Sequence, residues 1–205
     1  MNLSEVGTLA FEHLYLVIIG TLIGGAVGFT LAIWVRQRPR WAATLIGVAE
    51  VIQTLPGIAL LALLLLAFGL GNVPVIVALS LYAILPVLSN TYEGLQGVDP
   101  VYLGIGKGMG MTPGQIFRQI ELPLAFPVIL AGLRVALVTS IGIATIGVFV
   151  GGGGLGVLIF RGLQTIDTQI MLAGAIPAAL LAIVLEVGLS LWERRLARAR
   201  ATASK

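Results

Sequence analysis

Between Leu14 and Val35 the chain carries no charged side chain, over about 20 residues, the length a helix needs to cross the hydrocarbon core of a bilayer. In lipid such a segment must satisfy every backbone N–H and C=O internally, which leaves a helix or a closed barrel. Similar stretches recur at about Trp41–Phe68, Val75–Asn90, Phe126–Val150 and Met171–Trp192, interrupted only by Glu50, Arg134 and Glu186. Of the 205 residues 58% are hydrophobic and 10% charged, against a charged fraction of about 25% in soluble domains. The expectation is an all-α integral membrane protein with five transmembrane helices, forming a single transmembrane domain over residues 1–205 with a core of about 12–192.

Charge placement sets the orientation. Arg36, Arg38 and Arg40 sit in a tight loop with Pro39, and Arg194, Arg195, Arg198, Arg200 and Lys205 follow the last span. Both clusters belong on the cytoplasmic side by the positive-inside bias, so the N-terminus is expected outside and the C-terminus in the cytoplasm. The net charge of +3 is therefore topological and implies no nucleic-acid partner. Residues 1–12 hold Glu5 and Glu12 but no Lys or Arg, unlike the positively charged start of a cleaved signal peptide. With no cysteine, disulfides, thiol catalysis and zinc–thiolate sites are excluded.

Within the spans, Gly20, Gly24 and Gly28 form a stripe of small residues suited to close helix packing. Gln53-Thr54-Leu55-Pro56-Gly57 predicts a kink or break in the second span, as an ordinary proline kink or as a place where Gln53, Thr54 and freed carbonyls line a path. Pro86 predicts a second break in the third span. Arg134, near the start of the fourth span, is expected to pair with Glu50 or Glu186 rather than to meet a substrate. The run Gly151–Gly156 matches G-x-G-x-x-G but follows an apolar span instead of a strand, so it reads as an outer loop of close backbone approach or a gate, with Gly153 and Gly154 at its centre. His13 reads as a solvated interface residue. Tyr82 and Tyr92 read as interface anchors, or as rings that could face a cation.

The polar exception is Glu93–Pro123. Asp99-Pro100 starts a helix with an acceptor at the cap and a ring that needs no N–H at the first position, and Gly110 stops it. Thr112-Pro113-Gly114-Gln115 restarts one as a capping box, and Pro123 is expected to close it. On this second helix Ile116, Phe117 and Ile120 share one face, with Gln115, Arg118, Gln119 and Glu121 elsewhere. On the first, Gly104, Gly106 and Gly108 each cost about 1 kcal/mol relative to Ala, which another backbone approaching closely would offset. Gly106-Lys107-Gly108 fails as a phosphate-binding loop, since no Ser or Thr follows Lys107 and Val101 stands where a glycine is required.

This stretch resembles the cytoplasmic loop of bacterial binding-protein-dependent ABC permeases, E-A-A, three residues, Gly, nine residues, Ile-x-Leu-Pro, with Gly110, Ile120, Leu122 and Pro123 in register. The triplet here is Gly104-Ile105-Gly106, so the acidic residue often found there is missing. Ile52–Leu64, Leu81–Pro100, Ala131–Leu137 and Gly151–Gly156 are similar to permeases that import glycine betaine, carnitine and choline. The resemblance covers roughly residues 12–192. It implies a type I importer permease core with cytoplasmic coupling helices, working as a homo- or heterodimer with two ATPase subunits and an external substrate-binding protein. ATP and Mg would bind at the partner ATPase, and this chain would carry no catalytic residue, metal or cofactor. Coupling would fall to Asp99, Gly104, Gly106, Lys107, Gly108, Gly110, Thr112, Ile120, Leu122 and Pro123. Import of another small solute such as methionine is one alternative, and an ATP-independent channel or uniporter is another.

Overall fold

The computed structural model describes the backbone of residues 3–203 and the side chains of residues 3–193. Ser204 and Lys205 fall outside the described residues, as do the side chains of the arginines after Glu193. The chain forms α1 (Leu3–Val35), α2 (Pro39–Thr54), α3 (Gly57–Phe68), α4 (Asn72–Gln96), α5 (Pro100–Gly108), α6 (Pro113–Ile116), α7 (Leu122–Thr145), α8 (Gly156–Thr165) and α9 (Thr168–Ala203). Among the described residues four helical stretches are long and apolar enough to cross a membrane, and α2 with α3 makes a fifth when that pair is counted as one span bent by 96°. The span count read from hydropathy therefore holds.

α4 is the centre, packed against α1, α2, α3 and α7. The glycine stripe of α1 lies against it as expected. A Cβ on Gly20 would stand 2.5 Å from Leu79 Cβ, one on Gly28 would stand 2.7 Å from the Ile84 carbonyl, and one on Gly24 would overlap the Ser80 carbonyl. Small residues let the two backbones touch where lipid supplies no hydrophobic drive for association. On its other side Gly132 of α7 lies against Pro86, where a Cβ would be 2.6 Å from the proline carbonyl. Leu16, Leu61, Leu79, Val75 and Ile141 fill the space between these helices, and Thr21 Oγ1 donates to Ser140 Oγ at 3.1 Å to tie α1 to α7.

Three expectations are corrected. Pro86 does not break the third span: α4 runs unbroken through it to Gln96, because its packing on both sides holds the helix and the carbonyl it orphans finds another donor. Pro123 does not close the second helix of the Glu93–Pro123 stretch. α6 continues through a π-helical stretch, Phe117–Glu121, directly into α7, and Pro123 lies inside this continuous helix directly after the π-helical stretch, where the regular hydrogen-bond ladder is already interrupted. α1 also starts at Leu3, so Glu12 and His13 are helical.

The two ends of the bundle differ in character. One gathers the Arg36–Arg40 loop, α5, α6 and the Glu193 end of α9, linked by Gln96 Nε2 donating to the Arg36 carbonyl at 2.5 Å and by Arg134 Nε at 3.5 Å from Glu193. Arg134 also pairs with Glu186 at 2.7 Å, while Glu50 is exposed and not its partner. Glu193 was missed because it lies one residue past the apolar span. The opposite end holds the glycine loop, Asn72, Glu12 and the Arg161–Glu5 pair.

Candidate functional site

The first cluster is the helical corner at the arginine-rich end. Asp99 Oδ1 accepts from the Val101 N–H at 2.9 Å and starts α5. Gly110, at φ +75°, ends it: its N–H bonds Lys107 and the Met111 N–H bonds Gly106, both at 3.0 Å, the pairing of a Schellman closure that needs a left-handed residue. The Thr112–Gln115 capping box forms in both directions. Gly106 faces inward, where a Cβ would be 2.8 Å from Ile120 Cδ1 and 3.2 Å from Ile116 Cγ1. Gly104 and Gly108 face outward, with nothing within 4 Å of a Cβ. Of the three glycines, then, only Gly106 is accounted for by packing within the chain, and side chains rather than backbone approach it. Beside Gly104 and Gly108 the same helix exposes Val101, Tyr102 and Ile105, and its C-cap Met109 is 75% exposed.

Leu122 and Pro123 are half-buried at the start of α7. Arg36, read from sequence only as a topology signal, is a structural hub: its guanidinium stacks 4.1 Å from the Phe117 ring centroid and lies 3.9 Å from Glu121. It thereby grips both ends of the π-helical stretch. Behind α5 a cavity of about 530 Å³ opens between Arg36, Gln96, Lys107 and Glu121.

The second cluster is the bend between α2 and α3. Pro86 has no N–H to give the Tyr82 carbonyl four residues earlier, and Gln53 Nε2 donates to that carbonyl instead, at 2.9 Å. In return the Tyr82 hydroxyl donates to the Leu55 carbonyl at 2.6 Å, one of the groups the bend removes from a helix. Thr54 Oγ1 caps its own helix by donating to Val51 at 2.7 Å. Pro56, exposed, holds Leu55 in extended backbone, as the residue before a proline prefers. Tyr82 is thus a buried brace between helices and not an interface anchor, whereas Tyr92 lies half-buried among Ala32, Ala49 and Leu88.

The third cluster closes the opposite end. Glu12 accepts from the Gly154 N–H at 3.1 Å and from Asn72 Nδ2 at 3.2 Å, and Asn72 Oδ1 accepts from the Gly153 N–H at 2.9 Å. The glycine run is a site of close approach, as read: a Cβ on Gly153 would overlap the Glu12 carboxylate and one on Gly156 the Thr145 carbonyl. His13 corrects its reading. It is fully buried, its Nε2 lies 3.2 Å from the Ile141 carbonyl, and Gly154 packs on its ring. A lone polar residue near a span end gives no sign of which side of the helix it occupies; the glycines of the distant loop do, but only once folded against it. No group of three or more His, Cys, Asp or Glu converges among the described residues.

Residues 20–199 match the model for the binding-protein-dependent transport system inner membrane component. The chain belongs to that family of ABC importer permeases. Over 95% of its length it is 44% identical to the choline transport system permease protein OpuBB of Bacillus subtilis, covering 90% of that protein. It is 46% identical to the carnitine transport permease protein OpuCD of Listeria monocytogenes, over 91% of this chain and 84% of that one. Among solved structures, the MetNI methionine ABC transporter in an inward-facing conformation shares the fold at a TM-score of 0.84 and 20% identity, over 96% of this permease and 99% of that chain.

Proposed function

We propose that this permease forms the translocation pathway of an ATP-driven importer for quaternary ammonium osmoprotectants such as glycine betaine, carnitine or choline. It works as a homo- or heterodimer with two cytoplasmic ATPase subunits that bind ATP and Mg, and with an external substrate-binding protein. The chain itself is non-catalytic. The N-terminus lies outside and the C-terminus in the cytoplasm of a bacterial inner membrane, which puts Glu93–Pro123 where an ATPase can reach it.

The observation that carries the coupling role is α5. It is fixed from behind through Gly106 and Ile120 and closed at both ends by Asp99 and Gly110, while Val101, Ile105 and Met109 stand exposed beside the unfilled Gly104 and Gly108. A contiguous apolar face of this kind marks a protein contact. Lys107 borders it, and Thr112, Leu122 and Pro123 carry its displacement into α7, since α6, the π stretch and α7 are continuous. On this reading Gln53, Thr54, Pro56 and Tyr82 line or gate the pathway at the bend, and Gly153 and Gly154, held by Glu12 and Asn72, close it on the outside. The substrate class rests on identity to choline and carnitine permeases over more than nine-tenths of the chain.

The test is to reconstitute the permease in liposomes with an ATPase and a binding protein from the same organism and to measure uptake of labelled choline, glycine betaine, carnitine and methionine. ATP-dependent uptake of at least one of the first three, and none without the ATPase, is expected. Uptake of methionine alone would refute the substrate class, and uptake without the ATPase would refute the coupled reading.

A further inference from the structure

At the bend, Gln53, Leu55, Gly57 and Tyr82 face Thr139, Gly142 and Ile143 of α7, and Ile146 just beyond it, across a cavity of about 340 Å³. Gln53 and Thr139 are both exposed in the single chain. Gln53 lies about 20 Å along α2 from Pro39, at 1.5 Å per residue, and Thr139 is a similar distance beyond Phe126, so both sit well inside the bilayer. Polar side chains at that depth do not face lipid; they line a path or meet another protein surface.

The cavity offers uncharged hydrogen-bonding groups of both kinds. Gln53 has committed one amide hydrogen to the Tyr82 carbonyl and Tyr82 has committed its hydroxyl hydrogen to Leu55, which leaves Gln53 Oε1 and Tyr82 Oη as acceptors and the second Gln53 amide hydrogen as a donor. Thr139 Oγ1 makes no hydrogen bond within the described chain. Among the described residues no Lys, Arg, His, Asp or Glu lines the space. The C-terminus of α2 and the N-terminus of α3 meet at this bend, so their helix dipoles offset one another, and Leu55, Ile143 and Ile146 supply apolar walls. Uncharged oxygen acceptors and methyl-bearing walls, with no ionised side chain in the lining, suit a bulky cation whose charge is spread over methyl groups, and the free donors suit the hydroxyl or carboxylate that such a solute carries beside it.

We propose that this cavity is a transit subsite for the quaternary ammonium head of the substrate, bounded by Gln53, Tyr82, Thr139 and Gly142. The assignment rests on the substrate class proposed above. Gly142 is the informative position, because a Cβ there meets nothing within 4 Å: a larger side chain fills the cavity without clashing with its own chain.

The experiment uses the permease–ATPase assembly in nanodiscs, without binding protein, titrated with labelled choline and with its neutral isostere 3,3-dimethyl-1-butanol. Saturable choline binding is expected, with the isostere at least about tenfold weaker, a difference of about 1.4 kcal/mol. Thr139→Val should weaken choline about tenfold, the effect of losing one acceptor contact, and Gly142→Leu should abolish binding while the two permease copies stay associated by light scattering. Equal binding of the isostere would overturn the proposal by showing a merely apolar cavity. Dissociation of the permease pair by either variant would overturn it by showing a subunit interface. Absence of choline binding in an assembly that imports choline when the binding protein is added overturns the subsite alone, whereas absence of import of every quaternary ammonium substrate by the full transporter overturns the substrate class on which it rests.

Discussion

The brace between Gln53 and Tyr82 can be tested by removing the reason for it. If Gln53 serves the Tyr82 carbonyl because Pro86 cannot, then Gln53→Leu leaves a carbonyl of a 7%-exposed residue without a donor, at a cost of about 1–3 kcal/mol. Pro86→Ala introduces an N–H at position 86, one turn beyond that carbonyl in an otherwise regular helix, and restores the intrahelical bond. In that background the Gln53 amide has no orphan to satisfy, and the cost of Gln53→Leu should fall below about 0.5 kcal/mol. The coupling energy of the double-mutant cycle should therefore equal most of the single-mutant effect. For a chain of this size 1 kcal/mol corresponds to roughly 2–4 °C in Tm, so Gln53→Leu alone should lower the Tm of the detergent-solubilised permease by roughly 2–12 °C, and in the Pro86→Ala background by roughly 2 °C or less. Additive effects, with the same loss in both backgrounds, would show that the Gln53 amide is not compensating for the proline.

Single cysteines at Gln37 and Gln96 should react with impermeant maleimide only from the cytoplasm and one at Gln164 only from outside; a label reaching Gln96 from outside in intact cells would refute the five-span orientation. Gly108→Leu, which has open space within the chain, should leave the permease folded but lower substrate-stimulated ATP hydrolysis at least tenfold, whereas Lys107→Ala, altering one exposed cation worth less than about 1 kcal/mol, should change it less than twofold; full stimulation by Gly108→Leu would remove α5 from the coupling role. Gly153→Ala should destabilise by about 1–3 kcal/mol through forced displacement of Glu12, read as a fall in Tm that Glu12→Ala in the same chain partly reverses; no change in Tm would contradict the close approach of the loop to α1. Ile166 is a β-branched residue at φ 55° and 88% exposed, so Ile166→Asn should raise stability by about 1 kcal/mol by relieving a left-handed conformation that Asn tolerates; an unchanged or lower Tm would refute the strain.

Features whose cause is local were legible in the chain before any folding. Asp99, Thr112–Gln115 and Gly110 act on backbone groups within five residues, so their caps, box and stop appear where spacing puts them. The bend at Pro56 is equally local, since the ring removes a hydrogen bond and steers Leu55 out of helical backbone. Hydropathy determined five spans because the lipid requirement applies to each segment separately, and the spacing of Gly20, Gly24 and Gly28 announced a contact without naming its partner. What tertiary structure alone decided is every outcome that depends on what lies opposite. Pro56 and Pro86 carry the same chemistry, yet one span bends by 96° and the other runs through its proline, because α4 is held between α1 and α7 and its orphaned carbonyl receives the Gln53 amide from 29 residues away. Gly106 turns inward and Gly104 and Gly108 outward because Ile116 and Ile120 return against one side of α5. His13 is buried because a loop more than 130 residues later supplies the glycines that fit over its ring. Hydrogen bonds and steric contacts act over a few ångströms of space, whatever the separation along the chain, and only folding determines which residues come within that distance.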